Sequence, residues 1–136
     1  MAGAMKIIPA KTIVSQRLSA DWVTGTGWSD ELMKLTGVGA IRFVRVAFEP
    51  GGRTAWHTHP LGQILHIVSG VCRMQFWGEP SVEIGAGDTV HVPADVKHWH
   101  GATPTGVMVH LAIQQSDGGK DIEWLEQVSD GQYAHD

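Results

Sequence analysis

One cysteine, Cys72, and one tyrosine stand in a chain of 136 residues. A single thiol excludes an internal disulfide and a thiolate metal cluster. Runs of one charge are also missing. Ten Lys and Arg against 14 Asp and Glu leave a net charge of -4, with Arg42, Arg45, Arg53 and Arg73 scattered singly. That removes the basic footprint of a nucleic-acid or acidic-membrane partner. The opening MAGAMKIIPAK lacks the apolar stretch of a secretory leader, and no window approaches the roughly 20 apolar residues of a membrane span. The expected address is the cytoplasm, a reducing compartment. Helical periodicity is scarce as well. Only Ser29–Leu35 (SDELMKL) predicts a two-turn helix, capped by Ser29 and ended by Gly37, and DIEWLEQV (121–128) is compatible with strand or helix.

Apolar residues and turns are plentiful. The hydrophobic share is 43%, charged residues make up 18%, and there are 17 glycines. These figures fit a single folded domain over residues 1–136. Turn signals such as Pro50-Gly51-Gly52, Ser69-Gly70 and Gly85-Ala86-Gly87 recur at short intervals. Between them lie IRFVRVAF (41–48), QILHIVS (63–69), VCRMQFW (71–77), DTVHVP (88–93) and VMVHLAI (107–113). Short β-branched and aromatic runs punctuated this way predict an all-β sandwich or barrel. Its core spans about 38–115, with an N-terminal arm, 1–37, and a C-terminal tail, 116–136.

Seven of the eight histidines fall between positions 57 and 110. On a strand, residues two apart share a face, so His57 points with His59, and His98 with His100. The same parity puts Met108, His110, Ala112 and Gln114 on one face, and a barrel can turn these faces inward. His66, His91 and His135 read as ordinary polar positions. Imidazoles gathered in an apolar interior need a reason, and a divalent ion supplies one. Trp56 and Trp99 alternate with the histidines and should pack on the other side.

Gly51-x5-His57-x-His59-x3-Gln63-x6-Gly70 and Gly87-x5-Pro93-x-Asp95-x2-His98 resemble the two cupin motifs, G-x5-H-x-H-x3,4-E-x6-G and G-x5-P-x-G-x2-H-x3-N. Asp95 stands where the second motif has glycine, Ala102 where it has asparagine, and Gln63 where the first has a carboxylate. The resemblance implies a jelly-roll barrel (the cupin double-stranded β-helix) with few short helices. Inside it a divalent metal would be held by His57, His59, His98 and Gln63. A neutral amide leaves the ion its full charge and makes it a stronger Lewis acid.

The segments DWVTGTG, FEPGGRTAWHTHPLGQ, KHWHGATPT and EWLEQVSDGQY are similar to small bacterial cupins that include the manganese-dependent hydroxynitrile lyases. That resemblance implies a three-His, one-Gln ligand set and cleavage or formation of cyanohydrins. Mn(II) is the favoured ion, with Fe, Ni, Cu or Zn as others the ligands accept. It also implies His110 as general base, while His100 would relay a proton or orient the substrate. Thr54 and Gln114 would add polar contacts in the pocket, and Val44, Val46, Phe48 and Met108 an apolar wall. A metal-dependent oxygenase and a non-catalytic small-molecule-binding cupin are the other readings. The expected partner is a small molecule, and the expected assembly a dimer or tetramer, with Trp124, Leu125 and Val128 covering a sheet edge or capping their own barrel.

Overall fold

Side-chain alternation decides the architecture. The computed structural model describes residues 3–134, and within them the chain forms thirteen strands. In order they are β1 (Gln16–Arg17), β2 (Val23–Thr24), β3 (Gly27–Leu35), β4 (Ile41–Phe48), β5 (Arg53–Thr54), β6 (His57–Thr58) and β7 (Gln63–Ser69). There follow β8 (Val71–Phe76), β9 (Val82–Gly85), β10 (Thr89–Val92), β11 (His98–Ala102), β12 (Met108–Gln115) and β13 (Glu123–Trp124). A 3-10 turn at Ala10–Thr12 and one short helix, α1 (Asp130–Ala134), complete the elements. No helix among the described residues is long and apolar enough to cross a membrane.

The strands form two antiparallel sheets. The first runs β1-β3-β4-β12-β7-β10. The second runs β13-β6-β11-β5-β2, with β8 on the other side of β11 and β9 beside β8. Along β12 every second residue from Met108 to Gln114 is buried, the period expected when one face meets a core and the other faces outward. The facing core comprises Val44, Val46 and Phe48 of β4, Leu65 and Ile67 of β7, and Cys72 and Met74 of β8. Burial pushes the Cys72 thiol up to about 12, so this lone sulfur behaves as an apolar filler.

Ser29–Leu35 is strand, not helix. It lies within β3, whose residues from Gly27 to Leu35 pair with β4 around a bulge between Glu31 and Met33. Asp30 accepts two hydrogen bonds from Arg45 across that pair, at 3.0 and 2.8 Å. Long-range pairing overrides a local preference worth only tenths of a kcal/mol per residue. The segment from Gln16 to Leu35 is therefore woven into both sheets through β1, β2 and β3.

The tail folds back as well. β13 pairs with β6, opposing Glu123 to Thr58 and Trp124 to His57. Beyond it, Val128 and Tyr133 pack with Trp56 and Trp99 in a second core, with Leu125 alongside. The Tyr133 hydroxyl donates to the Ala102 carbonyl at 2.6 Å, and its ring lies under the Arg53 and Arg73 guanidinium groups. The tail thus caps its own barrel. Trp56 and Trp99 face away from the histidine side, as alternation requires. His66 and His91 lie toward solvent, His66 sharing a hydrogen bond with Thr89. His135 is outside the described residues.

Candidate metal centre

Two short strands and one turn bring the histidines together. β6 and β11 are neighbours with His57 opposite His98, so two imidazoles meet at once. After β6 the chain must reverse within a few residues to start β7. Gly62 makes this possible: its φ is +81, and a Cβ there would stand 2.8 Å from the Val92 carbonyl oxygen. The turn closes with the Gly62 N–H donating to the His59 carbonyl, which also accepts from Asp95 N–H at 2.9 Å. His59 and Gln63 thereby face the same interior. Asp95 has φ 62 and is the one non-glycine with positive φ among the described residues. The second motif has glycine at this position, and aspartate is one of the few other residues that tolerate the left-handed region.

His57, His59, His98, His100 and His110 are all buried. His57, His59 and His98 share a wiring pattern. Each Nδ1 donates to a main-chain carbonyl, of Ala55 at 2.8 Å, Asp121 at 2.8 Å and Val96 at 2.9 Å. That bond fixes the tautomer and leaves the Nε2 lone pair free, the usual preparation of a metal-binding imidazole. The three rings converge, with centroids 4.2 Å apart for His57–His98, 5.0 Å for His57–His59 and 5.3 Å for His59–His98. The His59 Nε2 is buried without a protein partner. Nitrogens of His57, His98 and His100 also lie within 4.8 Å of one another, close enough to hold an ion.

Gln63 is set opposite. Its Nε2 donates to Gln114 Oε1 at 2.9 Å, and Gln114 Nε2 donates to Asp121 Oδ2 at 2.8 Å. The remaining Gln63 Oε1 faces His98 Nε2 at 3.4 Å. With the His98 proton on Nδ1, this is a lone pair facing a lone pair, which a cation between them would satisfy. The residues present therefore fit a divalent ion. Burial and the neighbouring His98 and His59 hold His57 well below the ordinary imidazole range, while burial lowers His59 and takes His98 down to about 4. All three are neutral near pH 7, the form that binds metal.

The other two imidazoles form a pair, His110 Nε2 to His100 Nδ1 at 3.1 Å. Burial depresses both, His110 to about 4 and His100 well below its ordinary value, with His110 repelling charge on His100. Their outer atoms, His100 Nε2 and His110 Nδ1, have no partner. The pair borders a cavity of about 90 Å³ lined also by Val44, Val46, Phe48, Thr54, His57, His59, Gln63 and Gln114. The Thr54 hydroxyl accepts the His100 main-chain N–H at 3.2 Å.

Met108 departs from expectation. It points inward but packs in the apolar core below the cavity and does not line it. Conversely, the cavity wall includes Leu18, Ser29, Arg42, Ile122 and Trp124, which alternation in the central strands did not single out. Ile122 and Trp124 come from the tail, where Trp124 stacks on Trp22 at 5.5 Å and touches the His57 ring at 4.8 Å. Asp121 was missed for the same reason: its segment carries no periodic signal, and only the β13–β6 pairing brings it to the histidines.

Comparison with known proteins agrees with this arrangement. The Cupin domain family matches residues 44–113. An (R)-mandelonitrile lyase from Granulicella tundricola is 48% identical over 114 residues, covering 84% of this chain and 87% of that protein. Among solved structures, a cupin-like protein from Thermotoga maritima is 39% identical and superposes with a TM-score of 0.82 over 86% of this chain and 89% of its own. The polyketide cyclase RemF from Streptomyces resistomycificus, 16% identical with a TM-score of 0.73, covers 96% of this chain and 91% of its own and shares the fold alone. With paired antiparallel sheets around a histidine-lined cavity and these relatives, the chain belongs to the cupin family.

Proposed function

We propose that the protein is a metal-dependent lyase of the hydroxynitrile type, cleaving or forming cyanohydrins, with His57, His59, His98 and Gln63 as metal ligands. His59 is preferred to His100 as third imidazole because its Nδ1 is tied to a carbonyl, as in His57 and His98, whereas His100 is tied to His110. Mn(II) is favoured on likeness to manganese cupin lyases, and the N/O ligand set also accepts Fe, Ni, Cu or Zn. A bound divalent ion would polarise the substrate hydroxyl oxygen and ease its deprotonation.

The observation that carries the reading is the His100–His110 pair beside the lone-pair cluster. Two neutral imidazoles joined by one hydrogen bond present one free lone pair and one free N–H at their outer atoms. The lone pair takes the cyanohydrin hydroxyl proton as general base. The carbon–cyanide bond then breaks with its electron pair leaving on cyanide, and the N–H protonates it to HCN. The carbonyl product and HCN balance the substrate. A proton crossing the shared hydrogen bond returns both rings to neutrality with the roles of their outer atoms exchanged, so that the next turnover runs in the opposite sense. Thr54 holds the His100 main chain, and Val44, Val46 and Phe48 present an apolar wall to the substituent. Assembly as a dimer or tetramer belongs to the same proposal. Exposed Ile64, Val68 and Trp28 on the outer face of the first sheet support it.

The test is release of aldehyde and HCN from mandelonitrile by manganese-loaded protein. His110→Ala should lower kcat by about 10²–10⁴-fold while metal binding persists. An undiminished rate in that variant, or no turnover by the loaded wild type, would defeat the reading.

A further inference from the structure

We propose that Asp121 is a positioning residue that sets, through Gln114, which end of the Gln63 carboxamide faces the imidazoles. The inference rests on the reading of Gln63 as a ligand and concerns what orients it.

A carboxamide carries a donor end and an acceptor end of nearly equal shape, so packing alone does not choose between them. Here the choice is made by a chain with a fixed direction. The Asp121 carboxylate offers acceptors only, and it meets Gln114 Nε2 at 2.8 Å. Gln114 must therefore turn its oxygen toward Gln63, which answers with its Nε2 at 2.9 Å. The Gln63 oxygen is left pointing at the imidazole nitrogens. Both glutamines are only 5% exposed, so the carboxamide ends are set mainly by these protein partners. Arg42 approaches the same Asp121 oxygen at 3.5 Å and keeps it an acceptor. The Asp121 main-chain carbonyl meanwhile accepts the His59 Nδ1–H at 2.8 Å. One residue of the tail thus steers two ligands of the cage, His59 directly and Gln63 through Gln114. With the chain reversed, the Gln63 NH₂ would donate into the free lone pairs of His98 and His59 and close the site against a cation.

The test is a double-mutant cycle read by Mn(II) titration calorimetry. Asp121→Asn introduces a group that donates as well as accepts, so the reversed chain becomes accessible and only a fraction of molecules is competent. Mn(II) affinity should fall on the order of tenfold. In a Gln63→Glu background the demand inverts. The new carboxylate needs a donor from Gln114, whose oxygen is then forced onto Asp121. Here Asp121→Asn should relieve the conflict, so the affinity it costs should be smaller than in the Gln63 background or turn into a gain. Loss of the Asp121 charge weakens both backgrounds alike and cancels in the comparison. Equal losses in the two backgrounds would overturn the proposal.

Should wild-type protein bind no Mn(II), the metal reading falls and the orientation is read without metal. The Gln63 side-chain amide protons should exchange slowly with water in the metal-free wild type and quickly after Asp121→Asn. Fast exchange in the wild type overturns the inference.

Discussion

Acidifying the metal-free protein from about pH 7 to about pH 5 should remove much of its stability, and the histidine cage sets the size of the effect. His98 and His110 have folded-state values of about 4 against an ordinary 6.5. Between those values the unfolded chain binds more protons than the folded one, so stability falls as pH falls. The dependence fades out above about pH 7. Integrated from pH 7 to pH 5, each of these rings costs about 2 kcal/mol, or about 4 kcal/mol for the two. His57, His59 and His100 are also depressed by burial and act in the same direction. Against the 5–15 kcal/mol typical of a folded domain, that is a sizeable fraction of the metal-free protein's stability. The lowered carboxylates of Asp30 and Glu126 titrate below this window. The assay is urea denaturation with EDTA at several pH values, repeated on His110→Gln, which should lose about 2 kcal/mol of the pH dependence. A urea midpoint that stays flat from pH 7 to pH 5 would refute the reasoning.

Gly62→Ala should destabilise by about 2 kcal/mol or more, because its positive φ and a Cβ only 2.8 Å from the Val92 oxygen oppose the side chain together; thermal unfolding followed by circular dichroism checks it. Tyr133→Phe removes the 2.6 Å bond to Ala102 and should cost about 1 kcal/mol with metal affinity unchanged. The urea midpoint and a Mn(II) titration read the two parts separately.

The all-β fold and the histidine clustering were legible because both rest on the period of two. Met108, His110, Ala112 and Gln114 announce a buried face by spacing alone, and the family motifs mark His57, His59, Gln63 and His98 as inward-facing residues elsewhere in the barrel. Depth along that face is not encoded in parity, so Met108 was expected at the pocket and lies in the core. Ser29 looked like a helix cap because its neighbours have local helical preferences, whereas its pairing partners in β4 lie more than ten residues away. Asp121, Ile122 and Trp124 were hidden for a related reason. A two-residue strand such as β13 is too short to show a pattern, and what fixes it is its partner, β6.

Strand β11 has no wet side. Its residues from His98 to Ala102 are all buried, with imidazoles on one surface and Trp99 wedged against the C-terminal helix on the other. A segment gripped from both directions is held in place beforehand, so a cation bound at its histidines would demand little rearrangement. The same grip ties remote ends of the molecule together. Loosening the last turn of chain around Tyr133 would be felt, through the indole of Trp99, at nitrogen atoms on the far surface of the same strand.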